Sequence, residues 1–168
     1  MNREQRKFSK IYDSYVNSIY RFIFIKVNSQ EVAEDLTSEV FSKSWQIFQD
    51  KKKKEIKNPR AFLYTTARHI VIDFYRTNKQ DRTLSIEDTK EIEDTRQQLE
   101  EREEVRADLA LIQQGLNKLK EDYQDVIIWR YVDGLSIGEI ARILGRKPGA
   151  VRVLLHRAMG QLKEQVQQ

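Results

Sequence analysis

The sequence predicts an all-α protein: two small helical domains joined by a flexible acidic linker. Three observations carry that prediction. Apolar residues recur three and four apart along most of the chain, as one buried helical face requires. Asn, Ser and Pro stand where such stretches begin, and no strand alternation or internal repeat is evident. Charge also changes sign twice: residues 1–79 hold 16 Lys and Arg against 9 Asp and Glu, residues 80–108 hold 5 against 11, and residues 109–168 hold 9 against 6. At 168 residues the chain fits one ordinary domain or two small ones.

The first helix is expected over residues 4–26, with Phe8, Ile11, Tyr12, Tyr15, Ile19, Phe22 and Ile23 on one face. Asn28 then offers an N-cap with Glu31 three residues on, an approximate capping box. The second helix would run to about Gln49, burying Val32, Leu36, Val40 and either Phe41 or Trp45. The lysines at 51–54 repel one another and suit a loop. Asn58-Pro59 repeats the start signal, because Pro at the first helical position loses no needed hydrogen bond. The third helix should span about 59–78, with Phe62, Leu63, Thr66, Ala67, Ile70 and Phe74 inward.

Residues 80–98 are rich in Asp, Glu, Thr and Gln without sustained periodicity, the composition of a tether. Periodicity resumes with Val105, Leu109, Ile112, Leu116 and Leu119, and the segment at 121–131 adds Val126, Ile127 and Trp129. Ser136 with Glu139 forms a capping box, Gly145 supplies a left-handed stop, and Pro148 opens a last helix. The expected organisation is therefore a helical domain at 1–79, a linker at 80–107 and a second helical domain at 108–168.

Composition excludes much chemistry. The chain has no Cys and two His, too few for a His-based or thiolate metal site. It lacks the Gly-rich phosphate loops and the G-x-S-x-G elbow. Neither an enzyme nor a bound cofactor is expected. No run approaches the ~18 apolar residues of a membrane span, and MNREQRKFSK lacks the apolar stretch of a secretory signal, so a cytoplasmic chain without membrane insertion is expected.

Two basic segments around an acidic one suit a polyanion held at two places, although a mixed surface with a solvated linker has the same pattern. The most specific local signal is LSIGEIARILGRKPGAVRVLLHRAMGQL at 135–162: a short capped helix, a Gly turn and a second helix, the parts of a helix-turn-helix. With Val151, Leu155, Ala158 and Leu162 inward, Arg152, Val153, His156 and Arg157 face out. Arg can fork onto guanine or hold a phosphate. An ordinary helical hairpin with a basic surface is the competing reading.

On the third helix Arg60, Tyr64, Arg68, Tyr75 and Lys79 form a stripe, with His69 and Arg76 beside it. Such a stripe can hold phosphates and present flat rings to unstacked bases, unless the tyrosines are half-buried core. Asp35 and Glu39 on the second helix stand four apart and repel each other, which suits a basic partner surface. As an acid/base pair they lack accompanying His or Tyr.

Taken together, AEDLTSEVFSKSW (33–45), RAFLYTTARHIVIDFYR (60–76) and LSIGEIARILGRKPGAVRVLLHRA (135–158) resemble the bacterial extracytoplasmic function sigma factors, the small members of the sigma-70 family. The resemblance implies a non-catalytic subunit that binds core RNA polymerase, recognises the minus-35 and minus-10 promoter elements and helps melt the DNA. It places Asp35, Leu36, Glu39, Val40 and Phe41 against the polymerase clamp. It places Arg60, Tyr64, Arg68, His69, Tyr75, Arg76 and Lys79 at the downstream element, where Asp73 would fix the helix through Arg. Lys147, Arg152, Val153, His156 and Arg157 would serve the upstream element. An anti-sigma factor is a further candidate partner. The chain departs from the family at Val153 and Leu154, where a polar residue and an Arg are frequent. The alternative is a conventional helix-turn-helix regulator that binds duplex DNA without joining the polymerase.

Overall fold

The computed structural model describes residues 1–50, 55–78 and 103–167, with side chains of the last segment from residue 110. The described secondary structure is helical, without strands. Two compact units divide the chain, Met1–Thr89 and Lys90–Gln168. The lysines at 51–54, Lys79, the stretch 80–102 and the side chains of Val105 and Leu109 lie outside the described residues.

In the first unit α1 (Arg3–Val27), α2 (Gln30–Gln49) and α3 (Pro59–Thr77) all pack on one another. Asn2 opens α1 through a capping box with Gln5, satisfying amide donors that the first turn would otherwise orphan. The signal expected at Asn28 proves to be a stop. Its backbone N–H donates to the Phe24 carbonyl at 2.8 Å while its φ of 54° takes the left-handed cap conformation, which Asn is one of the few residues besides Gly to tolerate. Ser29 is the true N-cap of α2, its Oγ accepting from Val32 N at 3.3 Å, and no capping box with Glu31 forms. Asn58 caps α3 as expected, accepting from Ala61 N at 3.1 Å with Pro59 next.

The core of this unit joins Ile19, Phe22 and Ile23 of α1, Ala33, Leu36, Val40 and Phe41 of α2, and Leu63, Tyr64, Ala67, Ile70 and Val71 of α3. An aromatic cluster closes one end: the Phe8 ring lies 5.1 Å from Trp45 and 5.6 Å from Phe48. The buried face of α3 is rotated from the expected one. Tyr64 and Val71 turn inward, whereas Phe62, Thr66 and Phe74 are half-buried.

In the second unit α4 (Glu103–Asn117) begins inside the stretch expected as linker. It is followed by α5 (Glu121–Ile127), a π-helical segment (Ile128–Val132), α6 (Ile137–Leu144) and α7 (Pro148–Gln167). α7 is the hub and packs on α4, α5 and α6. Its Val151, Leu154, Leu155, Ala158 and Leu162 meet a core containing Val126, Ile128, Trp129, Leu135 and Ile140. The π segment closes with Asp133 N donating to the Ile128 carbonyl at 3.0 Å, a five-residue ring. It leaves Ile128 and Trp129 fully buried and Tyr131 and Val132 exposed.

Candidate nucleic-acid interface

The helix-turn-helix is built by local chemistry. Ser136 Oγ accepts from Glu139 N at 3.1 Å and Glu139 Oε1 accepts from Ser136 N at 3.3 Å, so both ends of the capping box close and α6 starts at a fixed residue. Gly145, at φ 63°, stops it, and Arg146 N returns to the Ala141 carbonyl at 3.0 Å. Arg146 Nη2 also donates to Asp122 Oδ2 of α5 at 2.7 Å, which pins the turn from outside. Nothing in the local sequence marks this pair, because its partners stand 24 residues apart.

α7 then divides its residues sharply. With the apolar seam inward, Arg152, Val153, His156 and Arg157 are exposed, and Lys147 is exposed in the turn before them. None of the four cationic or titratable side chains makes a hydrogen bond or ion pair among the described residues. Free cations on the second helix of a helix-turn-helix are placed to meet phosphates and base edges in a major groove.

The stripe on α3 is only partly assembled. His69 is exposed, Arg60 and Arg68 are half-buried, and Arg76 holds Asp73 at 2.9 Å, the intrahelical tie expected of Asp73. Tyr64 requires a correction. It is 1% exposed and meets Phe22 edge-on with ring centroids 5.7 Å apart, so it presents no face to a base. The reason is positional: Tyr64 shares a stripe with Ala61, Ala67 and Val71, and the small alanines leave room for its ring against α1. Tyr75 is half-buried, and its hydroxyl donates to the Lys26 carbonyl near the end of α1. This side of α3 thus presents cations, while Tyr64 and Tyr75 meet Phe22 and the Lys26 carbonyl of α1.

On α2 the residues expected at a docking surface also separate. Asp35 and Glu39 are exposed, whereas Leu36, Val40 and Phe41 are 8%, 0% and 5% exposed and belong to the core. That agrees with the burial expected from their spacing and corrects only the surface placement that the resemblance implied: the face of α2 formed by Ala33, Leu36, Thr37, Val40, Phe41 and Ser44 is the one that packs inward. Sequence resemblance groups neighbours along the chain and is blind to the helical rotation between them. Glu39 accepts from Lys43 Nζ at 3.0 Å, which offsets the repulsion expected from Asp35.

Among the described residues, no cluster of His, Asp or Glu could hold a metal ion, and no helix is long and apolar enough to cross a membrane.

The two units coincide with two family descriptions: Sigma-70 region 2 matches residues 11–81 and Sigma-70, region 4 matches residues 109–162. The extracytoplasmic function (ECF) RNA polymerase sigma factor SigW of Bacillus subtilis is 30% identical, the match covering 97% of this chain and 90% of that protein. SigX of the same organism is 26% identical over 97% of this chain and 85% of its own length. BldN of Streptomyces coelicolor is 26% identical over 93% of this chain, which spans 59% of that relative. Among solved structures, the sigma factor RpoE bound to the anti-sigma factor NepR from Bartonella quintana shares the fold, with a TM-score of 0.69 at 18% identity over 96% of this chain and 98% of that one. With both regions present in order and a relative of this similarity covered almost end to end, the chain belongs to the ECF sigma factors of the sigma-70 family.

Proposed function

We propose that this chain selects and opens promoters for RNA polymerase as a non-catalytic subunit, working in the cytoplasm where polymerase and promoter meet. The observation that carries the reading is the outward face of α7, where Arg152, His156 and Arg157 stand exposed opposite a fully apolar seam. In this reading Lys147 and those three residues, with Val153 among them, engage the minus-35 element as duplex. Phosphate contacts supply affinity and base-edge contacts supply choice. Arg60, Arg68, His69 and Arg76 serve the minus-10 element, where cations stabilise strands whose bases have left the stack. Asp35 and Glu39 present carboxylates to a basic surface on core polymerase. The polymerase performs the covalent chemistry.

An anti-sigma protein is a further proposed partner. Structures sharing this fold were solved with a protein partner bound, RpoE with the anti-sigma factor NepR and CnrH with the cytosolic domain of CnrY.

Run-off transcription with purified core polymerase and a pool of promoter duplexes tests the proposal. Sequence-selective transcripts that depend on the added chain are expected. Duplex binding without core association or transcripts would instead identify a conventional regulator.

A further inference from the structure

We propose that Val153 is a specificity-determining residue that reads the C5-methyl group of a thymine in the duplex engaged by α7. The inference rests on the reading of α7 as the upstream-element helix and adds the base chemistry that this reading leaves open.

Val153 is 50% exposed, although it lies in the first half of α7 among residues that share its outward face. Arg152 precedes it, His156 and Arg157 stand three and four positions on, and all three are exposed. Val153 is therefore the apolar member of a cationic face, not part of an apolar patch. Its neighbours one turn back are Gly149 and Ala150, both exposed, and a Cβ built on Gly149 would meet nothing within 4 Å. The valine side chain thus projects from a bare stretch of helix, where a groove floor can reach it without displacing a longer side chain.

The chemistry of the duplex narrows what it can read. Base edges in the major groove present hydrogen-bond donors and acceptors to the arginines, but the thymine methyl is the apolar feature among them. A branched aliphatic side chain has no polar atom with which to satisfy a guanine, adenine or cytosine edge. Against any of these it would cover a polar group without replacing its bond to water. Against thymine it buries a methyl. Val153 and Arg157 are separated by about 6 Å along the helix axis at 1.5 Å per residue. The thymine should therefore lie within about two base steps, at 3.4 Å each, of the base pair met by Arg157.

The test uses holoenzyme assembled from the full chain and bacterial core polymerase, with duplexes enriched from a randomised pool as probe. The enriched upstream sequence should contain a thymine at which replacement by deoxyuridine, which removes only the methyl, weakens wild-type binding about fourfold, the effect of one buried methyl. The Val153→Ala holoenzyme should bind the thymine and deoxyuridine duplexes equally. Alanine is the better helix former at this exposed position, so a melting curve should match the wild type. The proposal is overturned if no thymine in the enriched sequence responds to deoxyuridine, or if V153A keeps the wild-type preference. Enrichment that depends on Arg157 but shows no methyl effect removes the role of Val153 alone. Failure to enrich any upstream sequence removes the reading of α7 together with it.

Discussion

Arg146 and Asp122 join the turn of the helix-turn-helix to α5 through a bond of 2.7 Å, with side chains 41% and 32% exposed. The pair faces water on one side, so its contribution to global stability is small. Its position suits it to aiming α7, because the turn directly precedes Lys147 and the exposed cationic face of that helix.

Asp122→Asn should therefore lower the unfolding free energy by less than ~1 kcal/mol. Upstream-duplex binding should weaken even though the substitution removes a negative charge and would, by charge alone, strengthen binding to DNA. Denaturant melts and gel-shift titration at constant salt separate the two effects. Tighter binding by D122N would show that the pair does not orient the turn.

Tyr64 and Arg68 should fail in different ways. Tyr64→Ala empties a core position beside Phe22 and should cost ~3–5 kcal/mol, visible in a denaturant melt before any assay of DNA. Arg68→Ala with His69→Ala should cost less stability than Tyr64→Ala and should reduce promoter opening, read as permanganate reactivity of thymines in the open complex. Full thymine reactivity in that double variant would remove α3 from the melting step.

Replacing Asp35 and Glu39 together with Lys turns attraction to a basic surface into repulsion, which costs several kcal/mol at an interface. Holoenzyme assembly should be lost in a pull-down of core polymerase. The fold should persist, because the exposed Glu39 and Lys43 pair contributes only ~0.2–0.5 kcal/mol. By contrast, Leu36→Ala and Val40→Ala should act through stability.

Arg152→Ala and Arg157→Ala distinguish reading from holding. A base contact should cost ~1–3 kcal/mol on the preferred sequence and relax choice at one position. A phosphate contact should weaken all sequences alike and flatten the dependence on salt. Unchanged binding in both variants would mean that another face of α7 meets DNA.

Ser44 Oγ is buried with no hydrogen-bond partner among the described residues, beside an apolar cleft lined by Phe8, Phe48 and Phe62. Ser44→Ala removes an unsatisfied hydroxyl and should raise stability by ~1 kcal/mol. A lower melting temperature in S44A would reveal a partner for the hydroxyl.

The readable parts of the sequence were those encoded within a few residues. The Ser136 and Glu139 box, the Gly145 stop and the seam of α7 are short-range signals, and they place Arg152, Val153, His156 and Arg157 outward as expected. Faces rich in aromatic residues were less readable. On α3 the rings are distributed around the helix, and which of them enters the core depends on Phe22 of another helix. The same long-range dependence hides the Arg146 tie and the choice of Phe41 over Trp45 for the core, whereas the burial of Leu36 and Val40 followed from their spacing. The π segment has no signature in residue type; within it Ile128 and Trp129 are buried while Tyr131 and Val132 are exposed.

That segment makes chain length a structural variable. Removing one residue between Ile128 and Val132 would leave the chain too short by one position for the bonds that now run from Asp133 N to the Ile128 carbonyl and from Leu135 N to the Trp129 carbonyl. The tie between the buried Trp129 and the entry to α6 would have to be rebuilt. A deletion there should therefore be far more damaging than a substitution at the exposed Tyr131, and the spacing between α5 and the helix-turn-helix should resist change where the side chains do not.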